Sequence, residues 1–113
     1  MAFTFGESQR IKKETEFVRL LKTAPKIRND FFLYFLKNGR AASRFAVSVN
    51  RKIGNSVQRN YIKRKMKEWF RVNNSMLQPP HDVWVSMKRP FDRGRAAEVG
   101  ALFLDALSRI RAR

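Results

Sequence analysis

Arg51, Lys52, Arg59, Lys63, Arg64, Lys65, Lys67 and Arg71 fall within one short stretch, "NRKIGNSVQRNYIKRKMKEWFR", whose only acid is Glu68. Guanidinium and ammonium groups at this density bind phosphates well, and by themselves they hydrolyse nothing. At roughly 100° per residue, Ile62, Met66, Trp69 and Phe70 share one side of a helix. Asn60, Lys63, Arg64, Lys67 and Arg71 lie about a third of a turn away, with Ser56 at their start. Lys63 with Lys67, and Lys67 with Arg71, are like-charge pairs that each cost roughly 0.2–0.5 kcal/mol. Arg51 and Lys52 precede the positive end of the helix dipole, a further small penalty. A ligand bringing phosphates would turn all of these repulsions into attractions. Free N–H groups at the Asn55–Ser56 cap would add to the attraction. Asn60 adds two donors and an acceptor, enough to read a base or sugar edge.

Groups for catalysis are missing from the pattern. His81 is the single histidine, which removes His-pair acid–base chemistry and most metal sites. The nine acids form no D-x-D or E-x-x-H arrangement, and no glycine-rich phosphate loop is present. The totals agree with a binding role. The chain has 113 residues, with 25 Lys and Arg against 9 Asp and Glu, a formal charge of +16. No acid occurs between Asp30 and Glu68, whereas Lys37, Arg40, Arg44 and the helix cations all do. Such asymmetry costs stability through self-repulsion and implies a polyanionic partner, nucleic acid above all. With no cysteine, a reducing compartment fits; the longest apolar run, "FFLYFL", spans no bilayer; and "MAFTFGESQR" lacks the layout of a secretory leader. A cytoplasmic protein forming one domain over 1–113 is expected.

The elements that must position the cations follow from period and punctuation. "KKETEFVRLLK" reads as a short helix ended by Pro25. "FFLYFLK" and "RFAVSVN" read as strands, and Asn38-Gly39 between them predicts an antiparallel hairpin. Gly54 breaks the chain, and Asn55 or Ser56 caps a helix running to about Asn73. "DVWVSM" is a further strand. Val99, Leu102, Phe103, Ala106, Leu107 and Ile110 then mark a last helix whose stripe is core. Helix, strands, helix, strand, helix makes an α/β two-layer domain. Phe32, Tyr34 and Leu36 alternate with Phe31, Leu33 and Phe35, so one sheet face is core. The other is partly aromatic, either a shallow cleft or simply the seat of the first helix.

Arg51-Lys52-x-Gly54-Asn55-Ser56-Val57-x-Arg59-Asn60-x-x-Lys63-Arg64, after a "FAVSV" strand, closely resembles the signature of the bacterial ribonuclease P protein subunit, approximately K-x-G-x-A-V-x-R-N-R-x-K-R-x-x-R. Ser56 stands for the usual Ala, Tyr61 for the second Arg of the Arg-Asn-Arg core, and Lys67 for the final Arg. Lys67 keeps charge and loses bidentate geometry; Tyr61 loses a guanidinium and gains a stacking surface.

The resemblance implies an α+β fold of order α-β-β-β-α-β-α. Its four-stranded mixed sheet is packed as a two-layer sandwich, with a left-handed β-α-β crossover and an extra strand near Lys26 to Asn29. It implies an RNA-binding subunit of a ribonucleoprotein that removes the 5′ leader from precursor tRNA by Mg²⁺-dependent hydrolysis. The active site and the Mg²⁺ would belong to the catalytic RNA, with no metal bound by the protein alone. Arg51, Lys52, Arg59, Asn60, Lys63, Arg64 and Lys67 would contact that RNA. Phe17, Leu33, Phe35 and Ser48 would line the leader cleft, with Leu21 where an aromatic is common. No membrane and no obligate protein partner are implied. Composition alone admits three rivals: a structural RNA-binding module of the ribosomal-protein type, a duplex-DNA binder using the basic helix, and a protein-only nuclease.

Overall fold

The structure, a computed structural model, describes residues 10–111. The stretch read above for a secretory leader therefore falls outside the described residues, Arg10 excepted. In chain order the elements are α1 (Glu14–Thr23), β1 (Lys26–Arg28), β2 (Phe31–Lys37), β3 (Arg44–Ser48), α2 (Ser56–Asn73), β4 (His81–Met87) and α3 (Ala96–Arg111). The strands form one mixed sheet in the order β1-β2-β4-β3, with β4 antiparallel to β2 and parallel to β3. The short β1 pairs antiparallel with β2, Ile27 opposite Leu33.

The expected β2–β3 hairpin does not form. The chain does reverse at Gly39, in the left-handed region at φ 64, but β4 enters between the two strands. Two local features favour this. The Asn38 amide donates to Ala42 O and to Asp82 Oδ1 at 3.2 and 2.9 Å, which opens the turn into a wide loop tied to β4. β4 also carries apolar side chains on both faces, Val83 and Val85 on one and Trp84 on the other, as a central strand requires.

The register sorts the two faces. Phe31, Leu33, Phe35, Phe45, Val83, Val85 and Met87 point to one side, where Ile62, Met66 and Phe70 of α2 and Val99, Phe103, Leu107 and Ile110 of α3 cover them. Phe45 is central: its ring stacks on Phe70 (4.6 Å, 13°) and meets Phe103 edge-on at 5.9 Å. The opposite face carries a smaller cluster, in which Leu20 and Ile11 bury Tyr34.

Phe45 also fixes the hand of the crossover. Its ring faces α2, while its carbonyl accepts from Ile11 N at 3.2 Å on the outer edge of β3. For an L-residue that combination places β4 to the left of β3 as seen from α2. The β3–α2–β4 connection is therefore left-handed, against the usual preference.

An ion cluster clamps α1 to the sheet. Arg44, with a side chain 9% exposed, binds both oxygens of Asp82 at 2.9 and 2.6 Å and also Glu16 of α1. One cation of the acid-free stretch is thus consumed by the fold and is not offered to a ligand.

Candidate nucleic-acid interface

α2 begins with a complete capping box. Asn55 Oδ1 accepts from Gln58 N, and Gln58 Oε1 accepts from Asn55 N, both at 2.9 Å. Gly54 makes room for it, since a Cβ there would lie 2.4 Å from Gln58 Oε1 and displace that amide. The box corrects part of one expectation, because the Asn55 and Gln58 N–H groups are taken and are not offered to an anion. Just before it, Arg51–Ile53 forms a 3₁₀ turn whose Lys52 N–H is held by Asn50 Oδ1 at 2.9 Å, leaving Arg51 and Lys52 exposed.

Ile62, Met66 and Phe70 are buried against the sheet and Trp69 is half-buried, so the basic stripe is held at a fixed angle to the core. Asn60 and Arg64 are exposed, while Arg59, Lys63 and Lys67 are partly buried. Their charges crowd. Burial, with Arg10 and Lys63 close by, lowers the Lys67 ammonium below the ordinary lysine range. Arg10 belongs to the segment bridged to the outer edge of β3, so the stripe overlooks that edge. Arg59 Nε is buried without a hydrogen-bond partner, a cost left standing in the protein by itself. All seven cation and Asn positions expected to meet RNA lie on α2 or the turn leading into it.

The second expected surface needs correction. Leu33 and Phe35 are 0% and 4% exposed in the main core, beneath α2 and α3, so neither lies on the face that holds Phe17 and Ser48. The strand period decides this: Ser48 pairs through Ser86 with Phe32, which puts Phe32, Tyr34, Ala46, Ser48, Trp84 and Ser86 on the α1 face. Phe17 stands there edge-on to Trp84 at 5.2 Å, Trp84 stacks on Tyr34 at 4.9 Å, and Trp84 Nε1 donates to Ser48 Oγ at 3.0 Å. Leu21 is on α1, 57% exposed. α1 covers only part of this face. Beyond it Phe32 is half-buried under three cations, Lys88 Nζ at 4.6 Å, Lys26 Nζ at 4.9 Å and Arg28 Cζ at 5.6 Å from its ring centroid. Phe32, Trp84, Lys26, Arg28 and Lys88 were not among the expected site residues, although the alternation that groups Phe32 with Tyr34 pointed to that face.

Edge strand β3 thus separates a basic helical stripe from an open aromatic face ringed with cations. Among the described residues no group of three or more His, Asp and Glu side chains converges to hold a metal, and no helix is long and apolar enough to cross a membrane. Glu16 and Asp82 are committed to Arg44, and Asp30 to Arg95 at 2.6 Å. Fold and surface together define a basic α+β domain of the nucleic-acid-binding class, with a cationic stripe on α2 and an open aromatic face on the sheet. The chain belongs to the Ribonuclease P family, whose profile matches residues 5–111.

The ribonuclease P protein component of Thermotoga maritima is 30% identical over 115 residues, 97% of this chain and 98% of that one. That of Desulfatibacillum aliphaticivorans is 34% identical over 89 residues, 78% of this chain and 75% of its own. Among solved structures, the RNase P protein from Thermotoga maritima superposes with a TM-score of 0.73 at 29% identity, covering 89% of this chain and 96% of that chain. A mutant RNase P protein of Staphylococcus aureus gives 0.70 at 28% identity, over 92% and 86%.

Crowded cations make a direct prediction. Sulfate at tenfold excess over its Kd should add about 1.4 kcal/mol by mass action, raising Tm by roughly 5–10 °C. Calorimetry against chloride at matched ionic strength checks it. The gain should shrink in a Lys63→Ala/Lys67→Ala variant.

Proposed function

We propose that this chain is the RNA-binding subunit of ribonuclease P, with α2 docking on the catalytic RNA and the α1 face holding the 5′ leader of precursor tRNA. The observation that carries the reading is the division of labour across β3: a stripe of cations along α2 on one side, and an open sheet face of Phe17, Phe32 and Trp84 with cations around it on the other. Duplex RNA offers mainly phosphates and ribose, which suits the α2 stripe. An unpaired leader offers ring faces, which suits Phe17, Phe32 and Trp84, and stacking tolerates the sequence variation such leaders carry.

The protein lowers repulsion between two polyanions by releasing their counterions, and it holds the leader so that the cleavage site stays in register. Hydrolysis is assigned to the RNA, which would also bind the Mg²⁺ through its own oxygens. A surface this basic repels a free divalent cation. The described carboxylates that are paired lie against arginines. The exposed large apolar side chains, Val18, Leu21, Val57, Val72 and Leu104, are spread over three helices, so no obligate protein partner is proposed. With no cysteine in the chain a reducing compartment suits it, and the cytoplasm is the proposed location.

The test is reconstitution with the catalytic RNA at low Mg²⁺, measuring Kd for precursor and mature tRNA with and without protein. Precursor should gain selectively. Phe17→Ala and Trp84→Ala should each cut that selectivity roughly tenfold, at about 1–3 kcal/mol per stacked base. Equal strengthening of both tRNAs by the wild-type protein would remove the leader half of the reading.

A further inference from the structure

The start of α2 and the turn after β4 enclose a cleft of about 410 Å³ that phosphate binding leaves unexplained. Phe91, 5% exposed, is its floor, stacked on Trp69 (5.7 Å, 24°) and meeting Tyr61 edge-on (6.0 Å, 66°). Tyr61 stands as a half-buried wall with Arg64 Cζ 5.8 Å from its ring centroid. Val57 lines the cleft while 76% exposed, an aliphatic side chain offered to solvent in the most basic part of the chain. Gln58, Asn60, Asp92 and Arg93 complete the lining. Asp92 Oδ1 accepts from Gly94 N at 2.9 Å and Arg95 N at 3.3 Å, which holds the carboxylate in place and leaves Oδ2 without a partner among the described residues.

This lining narrows the ligand. A bare phosphate would be repelled by Asp92, and an apolar peptide would strand two arginines. A nucleotide matches the aromatic, acidic and basic groups together: flat faces for Tyr61 and Val57, N–H donors for a carboxylate, and a phosphate for an arginine. The volume lies within the range of small-ligand sites.

We infer that this cleft takes one unpaired base of the catalytic RNA, stacked on Tyr61, with its Watson–Crick N–H edge on Asp92 Oδ2 and its phosphate on Arg64 or Arg93. Guanine is the preferred base, because its N1–H and N2–H donors stand side by side. The inference rests on the reading of α2 as the docking surface for that RNA. It also gives Tyr61, which replaces an arginine of the family signature, a task that an arginine at the same place would perform differently.

The test uses the full chain bound to its catalytic RNA, probed with kethoxal, which modifies N1 and N2 of unpaired guanines. One guanine should be protected in the wild-type complex, regain reactivity with Tyr61→Ala and with Asp92→Asn, and stay protected with Tyr61→Phe. Tyr61→Ala should raise Kd roughly tenfold with the salt dependence of binding unchanged, since no phosphate contact is lost. Tyr61 packs on Phe91, so Asp92→Asn carries the test if the alanine variant folds poorly; its amide keeps an Oδ1 acceptor for the Gly94 N–H. A complex of wild-type affinity in which no guanine responds to either substitution overturns the base pocket and leaves RNA docking by α2 standing. A wild-type chain that fails to bind the RNA overturns that docking and the pocket with it.

Discussion

Replacing Arg59, Lys63 and Arg64 together by alanine should weaken binding to the catalytic RNA roughly a hundredfold to a thousandfold near physiological salt. Each lost phosphate contact removes about 1–1.4 kcal/mol once screening is allowed for. The dependence of log Kd on log salt should fall by roughly 2 to 3, at about 0.7–0.9 per phosphate. Filter binding or fluorescence titration across a salt series measures both. Folding should be untouched or slightly improved. None of the three belongs to the hydrophobic core, Arg59 Nε makes no hydrogen bond, and the like-charge crowding around Lys67 is relieved. Unchanged affinity and an unchanged salt slope would mean that α2 is not the docking surface.

The second large effect concerns the fold. Arg44→Ala should cost about 3–5 kcal/mol, because Asp82 and Glu16 would be left without the cation that neutralises them. For a domain of this size that lowers Tm by roughly 15 °C or more. Asp82, 14% exposed, has most to lose, whereas Glu16 at 23% retains Arg40 at 4.0 Å. A double variant, Arg44→Met with Asp82→Leu, should recover much of the loss, since removing both partners leaves no buried charge stranded.

The same cluster sets a pH dependence. The Arg44 hydrogen bond holds the Glu16 carboxyl below the usual glutamate range despite partial burial. A depressed carboxyl stabilises the fold fully above its unfolded value, about pH 4–5, and loses that contribution as pH falls through the folded value. Acid should therefore detach α1 before it disrupts the main core, and Trp84 fluorescence should report it because Phe17 rests on that ring. Glu16→Gln should flatten the acid limb. An acid transition identical in Glu16→Gln and wild type would locate the titration elsewhere.

The α2 stripe was legible because everything that builds it is local. Apolar residues at three-and-four spacing bury one side, the cations share another, and Asn55 caps the start within a single element. The aromatic face was half legible. Alternation separated Phe32 and Tyr34 from Leu33 and Phe35, yet the resemblance placed Leu33 and Phe35 in the cleft, and only the register of β2, β4 and β3 puts Ser48 with Phe32 instead. Lys26 and Lys88 are far apart in the chain and meet over one ring only after β1, β2 and β4 align.

By itself the sequence determined the kind of partner, the order of the elements and the helix that presents the charge, since these depend on composition and on periods of two and 3.6. Tertiary structure decided which strands are neighbours, the hand of the crossover and which cations remain available. Asn38-Gly39 reverses the chain wherever it occurs, but whether β4 enters the gap depends on Asn38 and Arg44 finding Asp82. Arg44 reads in the sequence as one more positive charge, and only packing against Glu16 and Asp82 turns it into the bolt that holds α1 to the sheet. Local patterns act between residues a few positions apart; pairing across 38 or more positions is chosen by burial and charge in the assembled core.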